Sequence, residues 1–102
     1  DWGHSKDYVR GMHMILNNSE PKDYIIATGD TRTVRDFCRY TFDKLGKNYQ
    51  DYVTQNPKFM RPEELKFLKG DSTPIREELG WEPEYTFETM LDEMIEFWMN
   101  NV

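Results

Sequence analysis

Tyr40 and Lys44 stand four residues apart in Tyr40-Thr41-Phe42-Asp43-Lys44. On a helix, a lysine at this spacing lowers the pKa of a phenol, which can then exchange a proton with a substrate hydroxyl. Any helix with these two residues satisfies the pattern, and no Gly-rich dinucleotide loop precedes it. The expected role is therefore surface pairing with packed side-chain stems. His4 and His13 lie nine apart, with no Cys or His at zinc spacing, and Glu20 and Asp23 approach His13 in sequence only. No metal site is expected, and His13 is read as a half-buried helix residue. Cys38 falls on an apolar helix face without an adjacent His or Lys, which fits a small core residue better than a nucleophile.

Arg61-Pro62-Glu63-Glu64 is different in kind. Pro62 fixes its own φ and biases Arg61 towards extended backbone. An arginine held that way is suited to fork onto a phosphate. A carboxylate three residues on, Glu64, can accept hydrogen bonds from sugar hydroxyls. A turn closed by a surface ion pair accounts for the same residues.

The elements that must position these groups follow from periodicity and punctuation. Tyr8, Val9, Met12, Ile15 and Leu16 recur at helical spacing between about Ser5 and Asn17, and Asn17 to Pro21 ends that helix. Tyr24-Ile25-Ile26-Ala27-Thr28, closed by Gly29-Asp30, reads as a short strand and turn. Thr33 is an N-cap for a helix whose apolar stripe is Val34, Phe37, Cys38, Phe42 and Leu45, with Gly46 after its end. From Lys47 to Asp71 the pattern weakens, with Tyr49 to Val53 a candidate strand. A stretch this long without regular structure is more often functional than idle. Thr73 is expected to cap a short helix with Pro74 at its first position and Gly80 beyond it. Thr86 caps the last helix, whose stripe is Phe87, Met90, Leu91, Met94, Ile95 and Trp98. That stripe reads as core, and Tyr85 and Met90 hold the two positions of a hydrophobic staple. Four helices with two or three short strands make an α/β chain of α+β-like character.

Composition narrows the function. The chain has 102 residues, 37% apolar, 31% charged and 15% aromatic, with a net charge of −6. The mean hydropathy of −0.88 is low, yet the aromatic content is enough for a modest core. An acidic balance argues against non-specific nucleic-acid binding. No apolar run approaches the roughly 20 residues that cross a bilayer. The start, Asp1-Trp2-Gly3-His4, lacks the basic flank and apolar region of a signal peptide. A single cysteine excludes an internal disulfide framework and fits a reducing, cytoplasmic compartment. The chain reads as a piece of something longer.

Several segments together resemble one family. Asp1-Trp2-Gly3-His4-Ser5-Lys6-Asp7-Tyr8-Val9 is similar to the Asp-Trp-Gly-His-Ala-Lys-Asp-Tyr-Val stretch of GDP-mannose 4,6-dehydratases. Glu20-Pro21 through Tyr24-Ile25-Ile26-Ala27-Thr28-Gly29 resembles their Glu-Pro-x-Asp-Phe-Val-Ile-Ala-Thr-Gly, and Val34-Arg35-Asp36-Phe37 their Val-Arg-Glu-Phe. Phe59-Met60-Arg61-Pro62-Glu63-Glu64-Leu65 resembles Tyr-Phe-Arg-Pro-x-Glu-Val. Gly70-Asp71 and Leu79-Gly80-Trp81-Glu82-Pro83 follow in the same order, the latter shared by many extended short-chain dehydrogenases.

The resemblance implies the C-terminal substrate-binding part, 1–102, of an extended short-chain dehydrogenase, with the N-terminal Rossmann domain absent from this chain. It implies NADP bound by that missing domain and GDP-mannose as substrate, converted to GDP-4-keto-6-deoxymannose. Hydride passes from the sugar's 4-position to NADP, water leaves across the 5- and 6-positions, and hydride returns to the 6-position. By the same resemblance Arg61 matches a family Arg that contacts the diphosphate, and Glu64 a family Glu that binds substrate, through ribose. Asp1 follows the position of a family Arg that also holds the nucleotide. The family's catalytic Tyr-x-x-x-Lys lies in the missing part, so Tyr40 and Lys44 inherit no catalytic role. The complete protein is expected to be a homo-oligomer, and this piece alone inactive. The segment from Gly46 to Arg61 is shorter than in many members. A related nucleotide-sugar reductase or epimerase, or a non-catalytic acidic interaction module, remains as an alternative.

Overall fold

His4 opens the first helix with an imidazole rather than a hydroxyl. Its backbone is extended and its Nδ1 accepts from the Lys6 amide at 3.0 Å, which satisfies one of the unpaired N–H groups of helix α1, Ser5–Leu16. The computed structural model describes residues 1–101. Helix α2, Val34–Lys44, starts at a reciprocal cap. The Asp36 amide donates to Thr33 Oγ1 at 3.0 Å, and the Thr33 amide donates to Asp36 Oδ2 at 2.9 Å. Those bonds hold the Asp36 carboxyl below the usual carboxylate range. Helix α3 is short, Thr73–Leu79, and ends at Gly80, whose φ of 71° is left-handed. Helix α4, Phe87–Asn101, begins where Thr86 and Thr89 exchange amide-to-hydroxyl bonds at 2.8 and 3.1 Å.

Thr73 is the first helical residue rather than the cap. Ser72 occupies the cap position without a side-chain bond to the helix's first amides, while the Asp71 carboxylate accepts from the Thr73 amide at 3.0 Å and its hydroxyl at 2.6 Å.

Two small groups of side chains form the core. Phe87, Met90 and Leu91 of α4 are buried against Phe37 and Tyr40 of α2, and Trp2 meets Phe37 edge-on at 5.3 Å. Trp81 is fully buried against α1, and Ile75 of α3 is fully buried as well. Gly11 permits that approach: a Cβ there would lie 2.9 Å from Ile26 Cδ1 and 3.2 Å from Trp81 Nε1. Asp7, itself buried, joins α1 to the chain before α4. Its Oδ1 accepts from the Glu84 amide at 2.9 Å, its Oδ2 from the Tyr85 amide at 3.1 Å, and its carbonyl from Trp81 Nε1 at 2.9 Å. The molecule is a slab of 52 × 38 × 19 Å. Its radius of gyration, 16.9 Å, exceeds the roughly 13 Å of a compact chain of 100 residues.

The α/β expectation is overturned: among the described residues there is no strand. Tyr24 to Thr28 has the composition of a strand but no neighbouring strand to complete its ladder. Side chains take over part of that role. The Thr28 amide donates to Asp1, and the Thr28 carbonyl accepts from Arg76 Nη2 at 3.0 Å. The other expected strand, Tyr49 to Val53, contains instead a single 3₁₀ turn, Tyr49–Asp51. Asn48 Oδ1 accepts from the Gln50 amide at 3.1 Å, a local bond that competes successfully with extended pairing. A second such turn, Pro57–Phe59, is capped by Asn56 in the same way.

The helix faces also differ from their patterns. In α1 the buried positions are Asp7 and Gly11, while Val9, Met12, Leu16 and His13 are exposed. α1 turns its small and hydrogen-bonded positions inwards because Trp81 occupies the space there. In α2 no residue is fully buried and Val34 is exposed, while Phe42 stacks on Tyr52 at 5.3 Å. The stripe of α4 is core only over its first half. Met94 and Trp98 are exposed.

Candidate functional site

Between Tyr52 and Lys69 every residue is exposed. This segment leaves the body after Tyr52, stacked on Phe42, and returns at Gly70. Within it, Arg61 Nη1 lies 3.9 Å from Glu64 Oε2, and both side chains are largely solvent-exposed, at 77% and 66%. That separation is an ion pair but too long for a hydrogen bond, and an exposed pair of this kind contributes little, below about 1 kcal/mol. No hydrogen bond among the described residues commits the guanidinium. Arg61 and Glu64 line one open concavity of about 660 Å³ with Glu63, Leu65 and Leu68. Phe67, Lys69 and Gly70 line a second, of about 590 Å³, against Ser72 and Arg76.

Charge is distributed unevenly. From Pro57 to Gly70 the chain carries Lys58, Arg61, Lys66 and Lys69 against only Glu63 and Glu64, although the whole chain carries −6. The segment is a local positive region on an acidic body, and a phosphate responds to the local field.

The other residues with chemical potential are engaged structurally. The Tyr40 phenol donates to Asp92 Oδ1 at 2.7 Å, and Lys44 Nζ approaches the same oxygen at 3.4 Å. The Asp92 bond raises the Tyr40 pKa, with burial adding to it. A proton-exchanging phenol needs the opposite shift. His4 stacks on Tyr85 with centroids 3.9 Å apart, and its Nε2 faces Glu93 Oε1 at 3.2 Å. The bond from His4, with a second from Tyr85, holds the Glu93 carboxyl below its usual range. His4 is thus a joint between α1 and α4. Cys38 is a half-buried free thiol. Among the described residues no group of three His, Cys, Asp or Glu side chains is arranged to hold a metal. No described helix is long and apolar enough to cross a membrane.

Asp1 has no chemical assignment from its sequence context, yet its carboxylate accepts four hydrogen bonds among the described residues. Oδ1 accepts from the Thr28 amide at 3.0 Å and the Thr28 hydroxyl at 2.5 Å, and Oδ2 from the amides of Gly29 at 3.0 Å and Gly70 at 3.1 Å. No sequence signal marked it, because its partners Thr28, Gly29 and Gly70 lie 27 to 69 residues away.

An irregular, exposed, locally basic segment carrying Arg61-Pro62-Glu63-Glu64 thus stands out from a helical body. Comparison with known proteins places the chain: the family model for GDP-mannose 4,6 dehydratase matches residues 1–94, and the chain belongs to that family. It is similar to the human GDP-mannose 4,6 dehydratase, 37% identical over 112 residues that span 93% of this chain and 30% of that protein. The Arabidopsis thaliana GDP-mannose 4,6 dehydratase 1 is 38% identical over 96 residues, 94% of this chain and 27% of that protein. The Yersinia enterocolitica GDP-mannose 4,6-dehydratase is 35% identical over 122 residues, 93% of this chain and 33% of that protein. The chain therefore spans about a third or less of the length of these relatives. The differing match lengths show that relatives vary in length within the matched region.

Proposed function

We propose that this chain is the GDP-sugar-holding part of a GDP-mannose 4,6-dehydratase, a lyase that forms GDP-4-keto-6-deoxymannose from GDP-mannose. One observation carries the reading: Arg61 presents a guanidinium with no hydrogen bond among the described residues, 3.9 Å from Glu64, on a basic, exposed segment of a family member. A diphosphate replaces a loose ion pair there and displaces no buried bond. Arg61 supplies a planar donor fork to the phosphates, and Glu64 accepts from ribose hydroxyls. Binding energy gathered on the nucleotide then holds the sugar in place for chemistry performed elsewhere in the complete protein.

The residues of this chain do not fit NADP. A dinucleotide cradle needs a strand, a Gly-rich turn and a helix N-terminus. No strand exists among the described residues, and the positive-φ glycines Gly29, Gly46 and Gly80 stand singly in separate turns. In this reading NADP is held by a segment outside these 102 residues. The complete enzyme works in the reducing cytoplasm as a homo-oligomer, consistent with one free cysteine and with exposed apolar residues such as Phe97 and Trp98. The family relatives named above are dehydratases, which favours this activity over a reductase, an epimerase or an inert module.

The test is calorimetric titration of the complete protein with GDP-mannose. Arg61→Ala weakens binding by about 10- to 100-fold, the range for losing hydrogen bonds to a charged group, and Glu64→Gln by several-fold. Unchanged affinity in a folded Arg61→Ala protein overturns the assignment.

A further inference from the structure

We propose that Asp1 is a positioning residue for the Arg61 and Glu64 segment, an inference that rests on the reading above. The segment is exposed from Tyr52 to Lys69, and no residue between Tyr52, which stacks on Phe42, and Gly70 is buried. Its geometry is set where it rejoins the body. At the C-terminal base the Gly70 amide donates to Asp1 Oδ2 at 3.1 Å, and Gly70 is pressed so closely on Ala27 that any Cβ would collide. Leu68, two residues before that anchor, lines the same concavity as Arg61, Glu64 and Leu65. The wall of the candidate nucleotide site is therefore continuous with the anchored residue.

The anchor is itself fixed. The carboxylate that holds Gly70 also accepts from Gly29 and from the amide and hydroxyl of Thr28, so both of its oxygens carry two donors. The Thr28 carbonyl accepts from Arg76 Nη2 at 3.0 Å, and Arg76 Nε donates to Ser72 Oγ at 2.8 Å, two residues beyond Gly70. Asp1 thus ties the approach to α1, the extended Tyr24 to Thr28 segment and the base of the ligand-facing segment into one rigid corner. A charged acceptor with four donors is a strong joint, because bonds to ionised groups are about twice as strong as neutral ones. Release of Gly70 frees the base of the segment, and a shift of about 1 Å in a positioning group can cost large factors in function.

The experiment is a set of GDP titrations on the complete protein. Arg61→Ala tests the binding reading itself. Asp1→Ala should weaken GDP about tenfold, and in Asp1→Ala/Arg61→Ala the combined loss should fall well short of the product of the two single losses, because part of the Asp1→Ala loss acts through Arg61. Thr33→Ala, which opens the cap of α2 and touches no residue of this corner, should bind GDP as wild type. Gly70→Ala, which keeps the carboxylate and displaces the base, should reproduce the Asp1→Ala loss. Ala27→Gly in that background opens the space and should restore affinity. This pair carries the test if Asp1→Ala does not fold. Wild-type affinity in both Asp1→Ala and Gly70→Ala, or losses that add to that of Arg61→Ala, overturn the positioning role while leaving the binding reading intact. Wild-type affinity in Arg61→Ala overturns both.

Discussion

Two regions of this chain use charged side chains in opposite ways. In the helical body, every oxygen of the Asp1 and Asp7 carboxylates accepts at least one backbone amide, so these groups join segments that no β-ladder connects. In the segment from Tyr52 to Lys69, Arg61 and Glu64 meet each other at 3.9 Å and are otherwise open to solvent. The difference teaches that the charge of a residue does not mark it as ligand-facing. What marks it is whether its hydrogen-bonding capacity has already been taken by the fold. On that criterion Asp1, Asp7, Tyr40 and His4 are structural, and Arg61 is available.

The contrast predicts that the two regions respond differently to substitution. The largest effect falls on the body. Trp81→Ala removes a fully buried indole and its bond to the Asp7 carbonyl, and should cost about 3–5 kcal/mol in denaturant unfolding of the complete protein. A loss below 1 kcal/mol would show that the corner between α1 and Trp81 is not the centre of the body. Next comes Arg61→Ala, which should leave the melting temperature within experimental error because its ion pair is exposed, while GDP-mannose affinity falls as described. A comparable loss of stability would place Arg61 with the structural charges. Thr33→Ala, which opens the cap of α2, should cost about 1 kcal/mol without altering ligand affinity.

Tyr40→Phe is the smallest. It removes the bond to Asp92 at a cost below about 1 kcal/mol and should leave turnover nearly intact. The Tyr40 pKa is raised in the folded protein, from an ordinary 10.0, chiefly by that bond. A raised pKa stabilises the fold below the unfolded value and loses that effect as pH rises through the folded one. The wild-type advantage over Tyr40→Phe should therefore be constant at neutral pH and fade above pH 10, measured by thermal melts across that range. A drop of several hundredfold in turnover, with folding preserved, would restore the catalytic reading of Tyr40 and Lys44.

The legible parts of the sequence were those governed by local chemistry. Thr33 with Asp36, Gly80 after α3 and Thr86 before α4 are caps whose partners lie within three or four residues, and their helices lie where the caps put them. Arg61-Pro62-Glu63-Glu64 stood out because an arginine beside a proline in irregular chain is legible as a motif. The illegible parts depend on partners distant in sequence. Tyr24 to Thr28 has strand composition, but whether a strand forms depends on a neighbour that this chain does not supply. The inward face of α1 was hidden because Asp7 and Gly11 are buried by Trp81, 74 residues on from Asp7, and a carboxylate and a glycine carry no hydrophobic signal. The Asp1 corner was hidden for the same reason, since Gly70 is 69 residues away.

The central claim is that Arg61 is an unoccupied donor that a nucleotide diphosphate engages. Arginine-selective modification with phenylglyoxal, read by peptide mass spectrometry on the complete protein, tests it directly. Arg61 should be modified readily in the free protein and protected in proportion to occupancy when GDP-mannose is added. Equal modification of Arg61 at zero and saturating GDP-mannose would contradict the account.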